Sequence, residues 1–295
     1  MLRTLWRFSR PHTIIGTTLS IIALYLISID TLSFFNPVIG HLLIALFSCL
    51  AGNIYIVGLN QIYDVEIDRI NKPELPLPAG DLSVSSARGI VIVSGILSVG
   101  TALTQGIFLS LVVLSSLFLG TIYSLPPVRL KRFHFWAAFS IFTVRGFIIN
   151  LGIYLHFIYI MSGYIFIPGK IWVLTIFMFG FGLIIAWYKD IPDVHGDRHF
   201  RIITFAVDIG QKTVFRIGTA LLIVLYIGMI LSGFLILSGI NRPVFVLAHA
   251  LILLVLLYRS RKVDPSEQKS MTDHYQFVWK LFYLEYIVFP ASCLL

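Results

Sequence analysis

Charge is what this sequence has least of. Only 12% of its 295 residues are Asp, Glu, Lys or Arg, and the acids number fourteen. A soluble domain carries about a quarter charged residues, so an ordinary water-facing surface is excluded. Cysteine is nearly absent as well. Cys49 and Cys293 stand alone in apolar segments, without CxxC spacing or a neighbouring His cluster. This excludes a thiolate metal centre and leaves both as packing residues. A basic face for nucleic acid is also missing, because the net charge of +8 is divided into short clusters between apolar runs. Anionic lipid and an anionic substrate are the better partners for such clusters. No cleavable signal peptide and no Ser-rich, acid-poor extension stands before the first apolar run, as expected of a bacterial chain or one already trimmed.

Apolar sequence dominates instead. A hydrophobic content of 58% and a mean hydropathy of +0.91 predict an all-α, polytopic membrane protein. Measured against the roughly 20 residues of a spanning helix, nine stretches qualify: 13–29, 39–59, 89–105, 107–124, 135–157, 171–188, 214–237, 243–258 and 276–294. Together they form a single membrane-embedded domain over 1–295. With the N-terminus in the cytoplasm, eighteen of the 22 Lys and Arg fall in cytoplasmic segments, Arg201 among them, and only Lys170 and Arg242 fall opposite. That asymmetry is the positive-inside pattern.

Two acid clusters follow two of these spans, one in motif region 60–80 and one in 188–201. Asp64, Glu66, Asp68, Asp190, Asp193 and Asp197 are six of the fourteen acids. If the second span continues as a helix, Asn60, Asp64 and Asp68 lie at i, i+4 and i+8 on one face, and Glu66 points away. Asn71-Lys72-Pro73 then ends it. Asp190, Asp193 and Asp197 share a face in the same manner, with Pro192 interrupting the helix. The common plan suggests two pseudo-repeats whose matched sites face one cavity.

Carboxylates this close repel one another unless protonated or neutralised by a cation. Hard oxygen donors at a water-accessible mouth suit Mg²⁺, which binds one or two carboxylates together with substrate phosphates. Basic donors for such an anion are Arg69 and Lys72 after the first cluster, Lys189 and Arg198 around the second, and Arg129 and Lys131 in the loop YSLPPVRLKRF. The adjacent prolines stiffen that loop. Arg10 precedes the first span, where snorkelling to headgroups is its simplest use. Arg145 is embedded in an apolar span and therefore needs a partner. A cation transporter is the non-enzyme alternative for acids at membrane depth.

These residues resemble the UbiA superfamily of intramembrane aromatic prenyltransferases. Its NxxxDxxxD motif is matched by Asn60, Asp64 and Asp68, and its second aspartate-rich motif by Asp190, Asp193 and Asp197. The stretches NQIYDVEIDRINKPELPL, YSLPPVRLKRF, TVRGFIINLG, KDIPDVHGDRHF and WRFSRPHTIIGTTLS are similar to the homogentisate branch of that superfamily. The resemblance implies nine helices around a central cavity, with both motifs holding Mg²⁺ and a prenyl diphosphate. It also implies transfer of a C20 phytyl group from phytyl diphosphate to homogentisate, with loss of CO₂ and diphosphate, as in tocopherol biosynthesis. Geranylgeranyl or solanesyl donors are the alternatives within the branch. Under the same resemblance Asn60 and the five aspartates become metal and diphosphate ligands, and Tyr123, Arg129, Lys131 and Lys189 diphosphate contacts. Arg10 or Arg145 is left for the aromatic carboxylate, and His195 receives no role.

Overall fold

The computed structural model describes residues 2–29, 39–200 and 202–295; Arg201 lies outside them. Among the described residues, nine helices are long and apolar enough to span a bilayer. They are α2 (Pro11–Ile29), α3 (Ile39–Tyr63), α5 (Val84–Leu103), α6 (Ile107–Ser124), the joined pair α7 (His134–Phe142) and α8 (Ile149–Ser162), α9 (Gly169–Asp190), α12 (Gln211–Leu235), α13 (Arg242–Ser260) and α14 (Gln268–Leu294). Four short helices complete the chain: α1 (Leu2–Phe8), α4 (Val65–Asn71), α10 (Val194–His199) and α11 (Phe205–Asp208).

All nine expected spans are present, and the helices mostly run past their apolar cores. The third begins at Val84, five residues before the apolar run, because Ser83 caps it by accepting from the Ser86 N–H. The ninth begins at Gln268, so its polar first two turns extend beyond the hydrocarbon. The tight turn expected at Gln105-Gly106 forms with Gly106 at φ 89°, a conformation that glycine adopts without strain.

The spans approach closely where residues are small, as expected in lipid, where water does not drive helices together. Ser48 and Ser98 each donate to the other's carbonyl, at 2.7 and 2.8 Å, and join α3 to α5. Gly146 faces α9 so closely that a Cβ would stand 2.4 Å from the Phe179 Cα. Further round, His249 Nε2 and Glu285 Oε1 meet at 3.2 Å between α13 and α14, both fully buried.

Gly146 supplies the first prediction. Gly146→Ala pushes backbone against backbone and should cost about 1–3 kcal/mol, read as a lower melting temperature in detergent. Gly228→Ala on α12, where a Cβ meets open space, should leave melting unchanged or slightly raised.

Candidate active site

The first acid cluster sits at a helix break. α3 ends at Tyr63, Asp64 takes φ −112° and ψ 7°, and α4 restarts at Val65. The continuous helix anticipated from spacing is therefore divided at its first aspartate. Asn60 bridges the break by donating from Nδ2 to Asp64 Oδ2 at 2.7 Å. Asp64 Oδ1 receives Arg129 Nη2 at 3.2 Å and also contacts the Lys131 ammonium. Asp68, one turn on, is 5% exposed, and Arg10 Nη2 stands 3.9 Å from its Oδ2. Arg10 (φ 52°) and Arg129 (φ 39°) are the two non-glycine residues with positive φ among those described. Both direct a guanidinium onto this motif, and such backbone strain concentrates at functional sites.

The second cluster repeats the arrangement. α9 ends at Asp190, Ile191 and Pro192 turn the chain, and α10 starts after Asp193. Asp193 and Asp197 are buried while His195 is exposed, in keeping with the expected shared face. Lys72 pairs with Asp193 across the two motifs. Lys189 Nζ lies 3.3 Å from Asp190 and donates to the Tyr123 hydroxyl at 3.0 Å. The Gly196 N–H donates to Asn71 Oδ1 at 3.0 Å, and a Cβ at Gly196 would collide with that oxygen at 2.3 Å. Asn71 thus stitches α4 to α10. Sequence reasoning treated it only as a helix end.

The two motifs line one cavity, with Lys72, Lys131, Lys189 and Arg10 among the carboxylates. Arg69 and Arg198 are not brought into it. Arg69 instead binds Glu66 at the surface, 2.8 Å away, with both side chains more than half exposed. Arg198 is exposed on α10, one residue beyond the face that carries Asp197. Arg129 reaches the site through Asp64 and the Tyr63 carbonyl, 3.1 Å away.

Burial governs the electrostatics. It pushes the Asp68 carboxyl above the usual range, against the pull of Arg10 and Lys72. Burial, with the carboxylates of Asp190 and Asp193 nearby, raises Asp197 to about 8. The Lys131 ammonium is pulled down to about 7 by burial and then by the like charges of Lys189 and Arg10. Carboxyls held at such high proton affinity call for cations, and the donor set here is all oxygen. Asp68 Oδ2 is also buried without a hydrogen bond. Among the described residues, no three acids or histidines converge as a closed metal cage. An open site, in which a substrate phosphate completes the coordination, fits Mg²⁺ better than a cage does.

Behind this polar mouth lies a second, mainly apolar cavity, which shares Arg10, Asn60, Tyr123 and Lys189 as walls. Arg145 lines it. The Arg145 guanidinium lies over the Trp279 ring at 4.7 Å and near Phe282 at 5.9 Å, with no carboxylate in ion-pair range among the described residues. His12 meets the same Trp279 edge-on at 4.9 Å. His12 and Trp279 carried no sequence signal that separates them from ordinary packing.

The pKa shifts set the pH response of the mouth. As pH rises, Lys131 loses its positive charge through about 7 and Asp197 gains a negative one through about 8. Both changes favour a bound cation, and protons compete with it below them. Titration calorimetry with Mg²⁺ should show affinity rising by up to about tenfold per pH unit between roughly pH 6 and 8, then levelling. Affinity that falls over that range would contradict this assignment.

Comparison with known proteins places the chain. Residues 16–281 match the UbiA prenyltransferase family. The homogentisate phytyltransferase of Synechocystis sp. is 46% identical over 99% of this chain and 96% of its own length. The chloroplastic homogentisate solanesyltransferase of Arabidopsis thaliana is 40% identical over 97% of this chain and 75% of its own length. A UbiA homologue from Archaeoglobus fulgidus, solved bound to GPP and Mg²⁺, superposes with a TM-score of 0.65 at 17% identity, covering 98% of this chain and 99% of that one. With its helices, its two aspartate motifs and these relatives in agreement, the chain belongs to the UbiA prenyltransferase family.

Proposed function

We propose that this membrane enzyme transfers a phytyl group from phytyl diphosphate to homogentisate with decarboxylation, in a Mg²⁺-dependent reaction. The observation that carries the proposal is the junction of two unlike cavities. A mouth of interleaved carboxylates and cations opens onto an apolar chamber that holds one arginine without an ion-pair partner among the described residues. The names of the Synechocystis and Arabidopsis relatives supply the acceptor class.

Asn60, Asp64, Asp68, Asp190, Asp193 and Asp197 would hold Mg²⁺, which supplies Lewis-acid stabilisation of the departing diphosphate. Lys72, Arg129, Lys131 and Lys189 lie on those carboxylates and are placed to contact the diphosphate oxygens, with the Tyr123 hydroxyl as a further donor. They stabilise charge as the allylic C–O bond breaks. The apolar walls keep water from the allylic carbon while a ring carbon of homogentisate attacks it. The ring proton leaves, the acetate side chain loses CO₂, and a proton takes the place of the carboxyl group, leaving a methyl substituent.

Arg145 is the receptor for the homogentisate carboxylate. Arg10 faces Asp68 and is already committed to the mouth. Trp279 and Phe282, set at 67° to each other beside the guanidinium, form an aromatic corner against which the acceptor ring can pack.

The test is prenyl transfer by purified protein in lipid with labelled homogentisate, phytyl diphosphate and Mg²⁺. Asp64→Asn and Asp193→Asn should each lower kcat by about 10²-fold or more. Arg145→Gln should raise the KM for homogentisate about 10-fold or more, with little change in the KM for the diphosphate. Product formed with another aromatic acceptor, but not with homogentisate, would overturn the acceptor.

A further inference from the structure

Where the mouth meets the chamber stands a group to which the reaction has so far given no part. His12 lies two residues after Arg10, at the start of α2, and lines the chamber with Arg145 and Trp279. Its imidazole meets the Trp279 ring edge-on at 4.9 Å, and the Arg145 guanidinium lies over the same residue's ring at 4.7 Å. One indole therefore carries both groups. Arg10 and Lys72, from the mouth, are also within electrostatic reach of His12.

The chain holds this imidazole in place but leaves its nitrogens open. Tyr283 Oη donates to the His12 carbonyl at 2.8 Å. Gly16, one turn on, lets α14 come so near that a Cβ there would stand 3.2 Å from ring atoms of Trp279 and Phe282. Other histidines packed in the bundle are different. His249 is engaged at both nitrogens, by the Phe245 carbonyl and by Glu285, and both nitrogens of His274 are sealed in packing. Those of His12 make no hydrogen bond among the described residues and are not among the sealed atoms.

Proton acceptance is what the chamber otherwise lacks. Among the described residues no Asp or Glu lines it, and Arg10, Arg145 and Lys189 enter it as cations. The aspartates of the mouth already face cations, Asp64 beside Lys131 and Asp193 beside Lys72. With the acceptor carboxylate on Arg145 and its ring in the Trp279–Phe282 corner, a ring hydroxyl comes to the imidazole on the same indole.

We infer that His12 is the general base of the transfer and takes the proton of the acceptor hydroxyl next to the carbon that is alkylated. The inference rests on the prenyl-transfer function proposed above and adds a catalytic residue to it. As the hydroxyl O–H bond breaks, its proton passes to an open His12 nitrogen, and the electron pair left on oxygen forms a carbonyl. The adjacent ring carbon makes the new C–C bond while the allylic C–O bond breaks, its pair leaving with diphosphate. The alkylated carbon then gives its proton to diphosphate, and the imidazolium returns the hydroxyl proton to oxygen, which restores the aromatic ring. The bound carboxylate and diphosphate balance Arg145, Arg10 and Lys72 while the imidazole carries that proton.

The experiment uses the full chain in lipid nanodiscs with Mg²⁺, phytyl diphosphate and homogentisate. His12→Gln and His12→Asn keep a polar side chain but no base. Each should lower kcat by about 10²-fold or more, with the KM of either substrate within about threefold of the unaltered value. Melting temperature and the thermal shift given by each substrate should not move. A ring-fluorinated homogentisate, whose hydroxyl gives up its proton more readily, should narrow the kcat gap between the unaltered protein and the variants several-fold. Fluorine weakens the ring as a nucleophile in all of them alike, so the ratio reports the base. An unchanged kcat in both variants, a rise in KM alone, or a gap left as wide with the fluorinated acceptor would overturn the inference and keep the reaction. No transfer by the unaltered protein would overturn both.

Discussion

The structure depends on one electrostatic constraint: several carboxylates are drawn to the edge of a membrane bundle, where water cannot screen them. An uncompensated charge in such a place costs several kcal/mol. The compensation comes from distant parts of the chain. Arg10 arrives from the turn before α2, Lys72 from the end of α4, Arg129 and Lys131 from the loop after α6, and Lys189 from the last turn of α9. Apart from Lys189 and Asp190, which are neighbours on α9, each ion pair ties one segment to another, so the neutralised cluster joins the turn before α2, the α3–α4 break, the loop after α6 and the second motif. The isolated pairing of Phe133 with Ile203 secures the basic loop beside the second motif.

The same cluster divides the interior by polarity. Apart from Arg145, the charges around the two cavities stand at the mouth, and the chamber behind it is lined largely by apolar and small residues. That division lets one bundle hold both an anionic headgroup and a long hydrocarbon tail. In the proposed reaction, a mouth built from opposed charges would exchange partners, the cations that rest on aspartates turning to the diphosphate while a metal takes their place. Little net charge has to be moved, which keeps reorganisation small.

Much of this was legible because the bilayer is a demanding solvent. Apolar runs long enough to cross it can hardly be anything but helices, and six of fourteen acids in two short segments could not be chance decoration. Where sequence reasoning fell short, the missing information was three-dimensional. Arg69 and Arg198 looked equivalent to Lys72 and Lys189 by proximity in the chain, yet a helix turns about 100° per residue and carried them to the outer surface. Asn71 appeared to do no more than end a helix, since its partner, the Gly196 N–H, lies 125 residues away. Asn150, five residues after Arg145, could by sequence either face the cavity or join helices through hydrogen bonds. Its spacing of five from Arg145 suits neither face of an α-helix.

That spacing belongs to a π turn. Thr143–Ile148 is wound as π-helix between α7 and α8, and Asn150 Nδ2 donates to the carbonyls of Arg145 and Gly146 at 2.9 and 2.8 Å, while its Oδ1 accepts from Tyr286. A π turn holds one residue more than the α turn it replaces, and such bulges recur at functional sites. The two halves of this span are consequently out of phase by about 100°. Loss of any one residue between them would heal the ladder and rotate the wall that carries Arg145 relative to the lower half of the chamber, with every side chain chemically intact. At this place the protein stores the orientation of the Arg145 wall as a count of residues more than as their identities, so a length change would be far less tolerated than a substitution.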